Sequence, residues 1–181
     1  MIKDILVLDY DETLVSSLYA KNEKHADQII DMYGEIYPGV KFQLPNDDWY
    51  VSFLRPWTKE LIGYFQTILG LDNVVILSWG SMEYVLRSVN LLGINIQPKN
   101  TYTREDMGFR VPLFKGHNCV LVDNEVYDFH RVGEINKVKF LYNLPLEKYV
   151  EVPCFDVTMF EKKFEISSNE LIHKIEETFE R

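Results

Sequence analysis

The chain has 181 residues, 46% hydrophobic and 26% charged, with a formal net charge of −9, which suits one soluble globular domain with its own core. No apolar run approaches the roughly 20 residues a membrane-spanning helix needs, and the opening residues read as a strand rather than a secretory signal. The acidity, with no basic stripe to displace counterions, argues against gripping duplex nucleic acid, and two cysteines (Cys119 and Cys154) make no disulfide framework, so a reducing, cytoplasmic setting is expected.

In chain order, residues 2–8 are apolar and β-rich, a buried strand that stops at the polar turn Asp9-Tyr10-Asp11-Glu12-Thr13. Residues 14–48 are the least regular stretch. Within them, 24–33 place Ala26, Ile29, Ile30 and Tyr33 at helical spacing, and Gly34, Pro38-Gly39 and Pro45-Asn46 punctuate loops. This stretch reads as a small insertion within a single domain spanning 1–181. Residues 49–54 look extended, and Arg55-Pro56 opens a helix whose apolar face is Trp57, Leu61, Ile62, Phe65 and Leu69, stopped by Gly70. A second buried strand, 74–77, ends at Ser78. Ser81 then caps a helix with Val85, Leu86, Val89 and Leu92 on its inner face and Gly93 at its end. Residues 120–122 form a third strand ending at Asp123-Asn124, and 138–142 a fourth. Ser167 and Glu170 make a capping-box pattern for a final helix carrying Leu171, Ile172, Ile175 and Phe179.

Strands separated by helices imply an α/β fold with parallel pairing through right-handed crossovers, in which ligands bind at the carboxyl ends of the strands. Three strands end in polar residues: Asp9/Asp11, Ser78 and Asp123/Asn124. Taken singly, each is an ordinary acidic turn or cap; together they should meet on one edge. Of two carboxylates one residue apart, one can attack phosphorus and the other can protonate the leaving oxygen and then activate water. Mg²⁺ suits such an acidic site, since it takes oxygen ligands, a few waters and a substrate phosphate, and Asp123 and Asn124 would complete its cage. Ser78 can hydrogen-bond a phosphoryl oxygen, and one basic side chain should steady the developing charge.

These segments resemble a known family. Asp9-Tyr10-Asp11-Glu12-Thr13-Leu14-Val15 is similar to the first motif of the haloacid dehalogenase superfamily, closest to the branch containing the RNA polymerase C-terminal-domain phosphatases. Tyr50-Val51, Arg55-Pro56, Ser78 with Glu83-Tyr84-Val85, Thr103-Arg104-Glu105, Asp123-Asn124 and Phe129-His130 resemble further elements of that branch, in its order. The resemblance implies a Rossmann-like three-layer sandwich around a central parallel sheet and a Mg²⁺-dependent phosphatase. It makes Asp9 the nucleophile and a metal ligand, and Asp11 the general acid/base, binding metal through its backbone carbonyl. Asn124 becomes the third metal ligand, with Asp123 supporting the ion and its water. Thr13 steadies the first-motif loop and, with Ser78 and Arg104, belongs to the substrate-binding set. The family's third-motif lysine has two candidates. Lys115 keeps the residue type and is favoured as a compact point charge; Arg110 keeps a basic-x-x-Leu pattern. The 14–48 insertion does not resemble that branch's hairpin insert, so phosphoserine-peptide specificity is not carried over.

The histidines read blandly: His25 and His173 on helix surfaces, His117 in a loop, His130 in packing or hydrogen bonding, with no His/Cys metal spacing. Trp49, Tyr50, Phe53 and Trp57 read as core. The expected substrate is a phosphorylated small molecule or phosphoprotein. The competing readings are a nucleotide or nucleic-acid end phosphatase and a non-enzymatic protein-binding module on the same fold.

Overall fold

The structure is a computed structural model and describes residues 2–104, 116–124, 148–159 and 166–180. Its elements run β1 (Asp4–Asp9), β2 (Val15–Ala20), α1 (Glu23–Tyr33), β3 (Gly39–Gln43), β4 (Trp49–Leu54) and α2 (Thr58–Leu69). They continue with β5 (Val74–Ser78), α3 (Met82–Leu91), β6 (Thr101–Thr103), β7 (Asn118–Asp123), β8 (Tyr149–Glu151) and α4 (Ser168–Glu180).

The main sheet has the order β6-β5-β1-β7-β8, and every neighbouring pair is parallel. That is the parallel α/β arrangement expected from the alternation of apolar runs. β1 sits at the centre and is buried from Ile5 to Asp9, which is why its sequence reads as a continuous apolar run. The two faces follow from the period of two. Leu6, Leu8, Val74, Ile76, Val120 and Val122 point to the face packed by Leu61 and Phe65 of α2, Val85 and Val89 of α3, and Leu171 and Ile175 of α4. Ile5, Val7, Val75, Leu77, Cys119 and Leu121 point to the other. Each such side chain taken from water stabilises the fold by about 1.5–3 kcal/mol before entropy is charged against it.

Helix ends follow local chemistry. Ser81 Oγ accepts from Tyr84 N at 3.3 Å to cap α3, and Ser167 Oγ accepts from Glu170 N at 3.2 Å to cap α4. α2 begins at Thr58 rather than at Pro56, because Arg55 N is held by Leu14 O at 3.0 Å and the next residues make a turn first.

Residues 14–48 are more regular than their sequence suggests. β2 and β3 flank β4 in an antiparallel three-stranded sheet, order β2-β4-β3, so the substructure runs on to Leu54. α1 packs on it, with Ala26 and Ile29 against Ala20, Val51 and Phe53. The alternation of β2 was hidden because a serine takes an inner position: Ser16 is buried and accepts from Val157 N at 3.2 Å, while Ser17 and Ser52 share a cross-strand hydrogen bond of 2.7 Å. β3 was hidden because it opens on Gly39, where the sequence reads as a turn. The glycine is there for space, since a Cβ at Gly39 would lie 2.6 Å from the Phe53 ring.

β6 and β8 have three residues each, too few for a periodic signal. The expected strand at 138–142 lies outside the described residues. Among the described residues no helix is long and apolar enough to cross a membrane.

Gly39→Ala should destabilise the protein by about 1–3 kcal/mol through overpacking against Phe53. A urea unfolding midpoint measures this, and the loss should shrink in the double variant Gly39→Ala/Phe53→Leu.

Candidate active site

β1 ends at Asp9, beside Leu77 of β5 on one side, while Leu8 pairs with Val122 of β7 on the other. One residue further along, Asp123 therefore stands next to Asp9, and both side chains point to the face of Val7 and Leu121. Both carboxylates are buried, at 4% and 1% exposure. Ser78 closes β5 and is also buried, and Thr103 of β6 pairs with it, so the exposed Arg104 follows at the same edge. The polar strand ends expected to converge do so.

After Asp9 the chain makes a tight loop. Leu14 N and Val15 N both donate to Tyr10 O, at 2.9 and 3.1 Å, and Glu12 N donates to Val15 O at 2.7 Å. Glu12 takes φ +61°, a conformation costing a non-glycine residue about 1–2 kcal/mol. Contacts on three sides hold it there. Thr13, fully buried, donates from Oγ1 to Asn124 Oδ1 at 2.9 Å and accepts from Asn124 N at 3.0 Å, tying the β1 loop to the end of β7. Phe155 N donates to Glu12 O at 2.6 Å. From below, Arg55 is wholly buried, donates to Thr13 O at 3.1 Å, and lies 4.7 Å from the Trp57 ring and 5.5 Å from the Phe155 ring. Thr58 Oγ1 donates to Leu14 O at 2.9 Å.

Asp11 lies beyond the turn, on the side of β5. Ser78 Oγ donates to its Oδ2 at 3.1 Å, and the Tyr84 phenol donates to its Oδ1. Burial, followed by the nearby Asp11 charge, pushes the Tyr84 phenol well above the ordinary tyrosine range, so it stays a donor throughout the working range of pH. Ser78 Oγ is itself oriented by Gly80 N, at 2.9 Å.

The side-chain groups at this edge that could hold a cation are oxygen donors: the Asp9 and Asp123 carboxylates and the Asn124 amide. Such a set suits a hard divalent cation. Asn124 Oδ1 already accepts from Thr13, yet an amide oxygen has a second lone pair to offer. Among the described residues no three His, Cys, Asp or Glu side chains cluster for a metal.

His117 is excluded from the site. It precedes β7 and accepts from Lys3 N at the amino-terminal end of the sheet, opposite the Asp9 edge. His25 and His173 lie on α1 and α4, the latter beside Glu177. Lys115, Arg110 and His130 lie outside the described residues. Three residues given no role by sequence reasoning belong to the site's frame: Tyr84, Arg55 and Gly80. A tyrosine in the first turn of a helix that follows a strand-end serine was the available signal for Tyr84.

No family model and no curated protein matches this sequence. Solved structures do. A structure of Fcp1, an essential RNA polymerase II CTD phosphatase, superposes with a TM-score of 0.58 at 13% identity, over 96% of this chain and 49% of that one. The chain has the haloacid dehalogenase-like fold of Fcp1. A fission yeast Fcp1 structure bound to beryllium fluoride matches with a TM-score of 0.57 at 13% identity, over 98% of this chain and 51% of that one. The chain thus spans about half the length of the Fcp1 structures it matches. The agreement lies in the fold.

Two outcomes follow from the loop geometry. Thr13→Val keeps the shape but strands the Asn124 groups it serves, and should cost about 1–3 kcal/mol of stability in urea unfolding. Cys154, whose Sγ donates to Glu12 Oε2 at 3.4 Å, has its thiol pushed up to about 12 by desolvation and the Glu12 charge. A raised value means less thiolate, so iodoacetamide should label it far more slowly at pH 8 than an unperturbed thiol, and Glu12→Gln should speed labelling.

Proposed function

We propose that this chain is a Mg²⁺-dependent phosphomonoesterase acting through an aspartyl-phosphate on Asp9. The observation carrying this reading is the shared edge itself. A buried carboxylate closes the central strand, a second is held just beyond it by two hydroxyl donors, and Asp123 and Asn124 would complete an oxygen set for a cation.

In the first step an Asp9 carboxylate oxygen attacks phosphorus, the ester P–O bond breaks, and the departing oxygen takes the proton carried by Asp11. In the second, Asp11 removes a proton from water, the water oxygen attacks phosphorus, and the P–O bond to Asp9 breaks to release inorganic phosphate. Mg²⁺, held by Asp9, the Asp11 carbonyl, Asn124 and the Asp123-supported water, would neutralise phosphoryl charge among the carboxylates. Ser78 would share its hydroxyl with a phosphoryl oxygen, and the exposed Arg104 would contact the rest of the substrate. The cationic partner is Lys115, with Arg110 as the other candidate. Fcp1 acts on the CTD of RNA polymerase II; for this chain the substrate class is a phosphorylated small molecule or phosphoprotein.

Hydrolysis of p-nitrophenyl phosphate between pH 5 and 8 should require Mg²⁺ and stop with EDTA. Asp9→Asn should reduce it to background, and Asp11→Asn by roughly 10²–10⁴-fold. A folded wild-type protein with no Mg²⁺-dependent turnover on aryl phosphates, nucleotides or phosphopeptides would leave the binding-module reading in its place.

A further inference from the structure

Resting on the reading of Asp11 as general acid/base, we infer that Tyr84 is its positioning residue, and that the second sheet holds Tyr84 in place for that task. Asp11 receives one donor on each carboxylate oxygen, Ser78 on Oδ2 and Tyr84 on Oδ1. Two donors from different elements determine both the place and the plane of the carboxyl group, which one donor cannot do.

The Tyr84 ring is fixed from several directions. Tyr10 meets it edge-on at 6.2 Å from the β1 loop. Tyr50 of β4 and Phe42 of β3 pack on it at 5.3 and 6.0 Å, and those two rings stack on each other at 6.0 Å. Ser17 of β2, bonded to Ser52 of β4, faces its phenol. All three strands of the second sheet thus contribute to one side of a residue whose hydroxyl ends on Asp11.

Gly80 supplies independent support. A Cβ there would lie 2.6 Å from Tyr84 Cδ1 and 3.1 Å from Ser78 Oγ. The residue lacking a side chain is the one between both donors, so the two can close on Asp11 together. What sets this glycine apart from one that only makes room for a core ring is that its missing Cβ would crowd both Asp11 donors at once.

The test separates positioning of the acid from general support. An acid matters most when the departing oxygen is strongly basic. kcat/KM, which reports transfer of the phosphoryl group to Asp9, is therefore compared for p-nitrophenyl phosphate, phenyl phosphate and β-glycerophosphate. Tyr84→Phe keeps the ring and should lose less than about 3-fold on the first but roughly 10–100-fold on the last, a fraction of the full effect of a general acid. Tyr50→Leu, which loosens the ring without touching Asp11, should give a smaller loss of the same pattern and add little to Tyr84→Phe. Equal losses on all three substrates, or none, with unchanged melting temperature, would overturn the inference while leaving the phosphatase reading intact. A wild-type protein inactive on every substrate would overturn that reading and this one with it.

Discussion

The hydroxyl of Thr13 joins two strands that the backbone alone would leave separate at their ends. It donates to the Asn124 side chain and accepts from the Asn124 backbone, and Thr13 itself is fully buried. A buried pair of this kind gains about 0.5–1.5 kcal/mol per bond, but losing one partner costs the desolvation of the other. The loop after β1 and the edge after β7 are consequently one unit. Glu12 can be held at positive φ because its neighbours are fixed on both sides, and Arg55 fills the space beneath with a guanidinium that backbone carbonyl and aromatic faces receive.

That unit gives the acidic residues different neighbours. Asp9 and Asp123 emerge together on one face because parallel neighbours in register share their side-chain direction. Asp11 lies beyond the turn and is drawn to the β5 side by Ser78 and Tyr84. A carboxylate that is to carry a phosphoryl group needs a cation nearby, whereas one that is to move protons needs hydroxyl neighbours. Within the loop of five residues Asp11 has the hydroxyl neighbours, and the proposed cation would stand with Asp9.

The second sheet changes how the first can be understood. From sequence, residues 14–48 read as a small insertion after the first strand. The sheet's aromatic side, Phe42 and Tyr50, packs on Tyr84 rather than standing free, and Arg55 at its exit reaches back to Thr13. Its contribution is therefore made inside the protein.

The sequence by itself determined the central strands, the capped helices and the polar residues at the strand ends, because burial on both faces writes a continuous apolar run and a strand's end writes an abrupt change to Asp, Ser or Asn. The pattern Asp9-x-Asp11 with Ser78 and Asp123-Asn124 was legible for the same reason: parallel topology brings strand termini together whatever the loops do. Only the tertiary structure decided the second sheet, since a buried serine in β2 and an opening glycine in β3 erase the period of two. It alone decided which neighbours Asp11 has, since Tyr84 is 73 residues away and its bond to Asp11 depends on the packing of Tyr50, Phe42 and Gly80. Local pattern records what a residue's own backbone environment requires, but a hydrogen bond between distant side chains leaves no periodic trace.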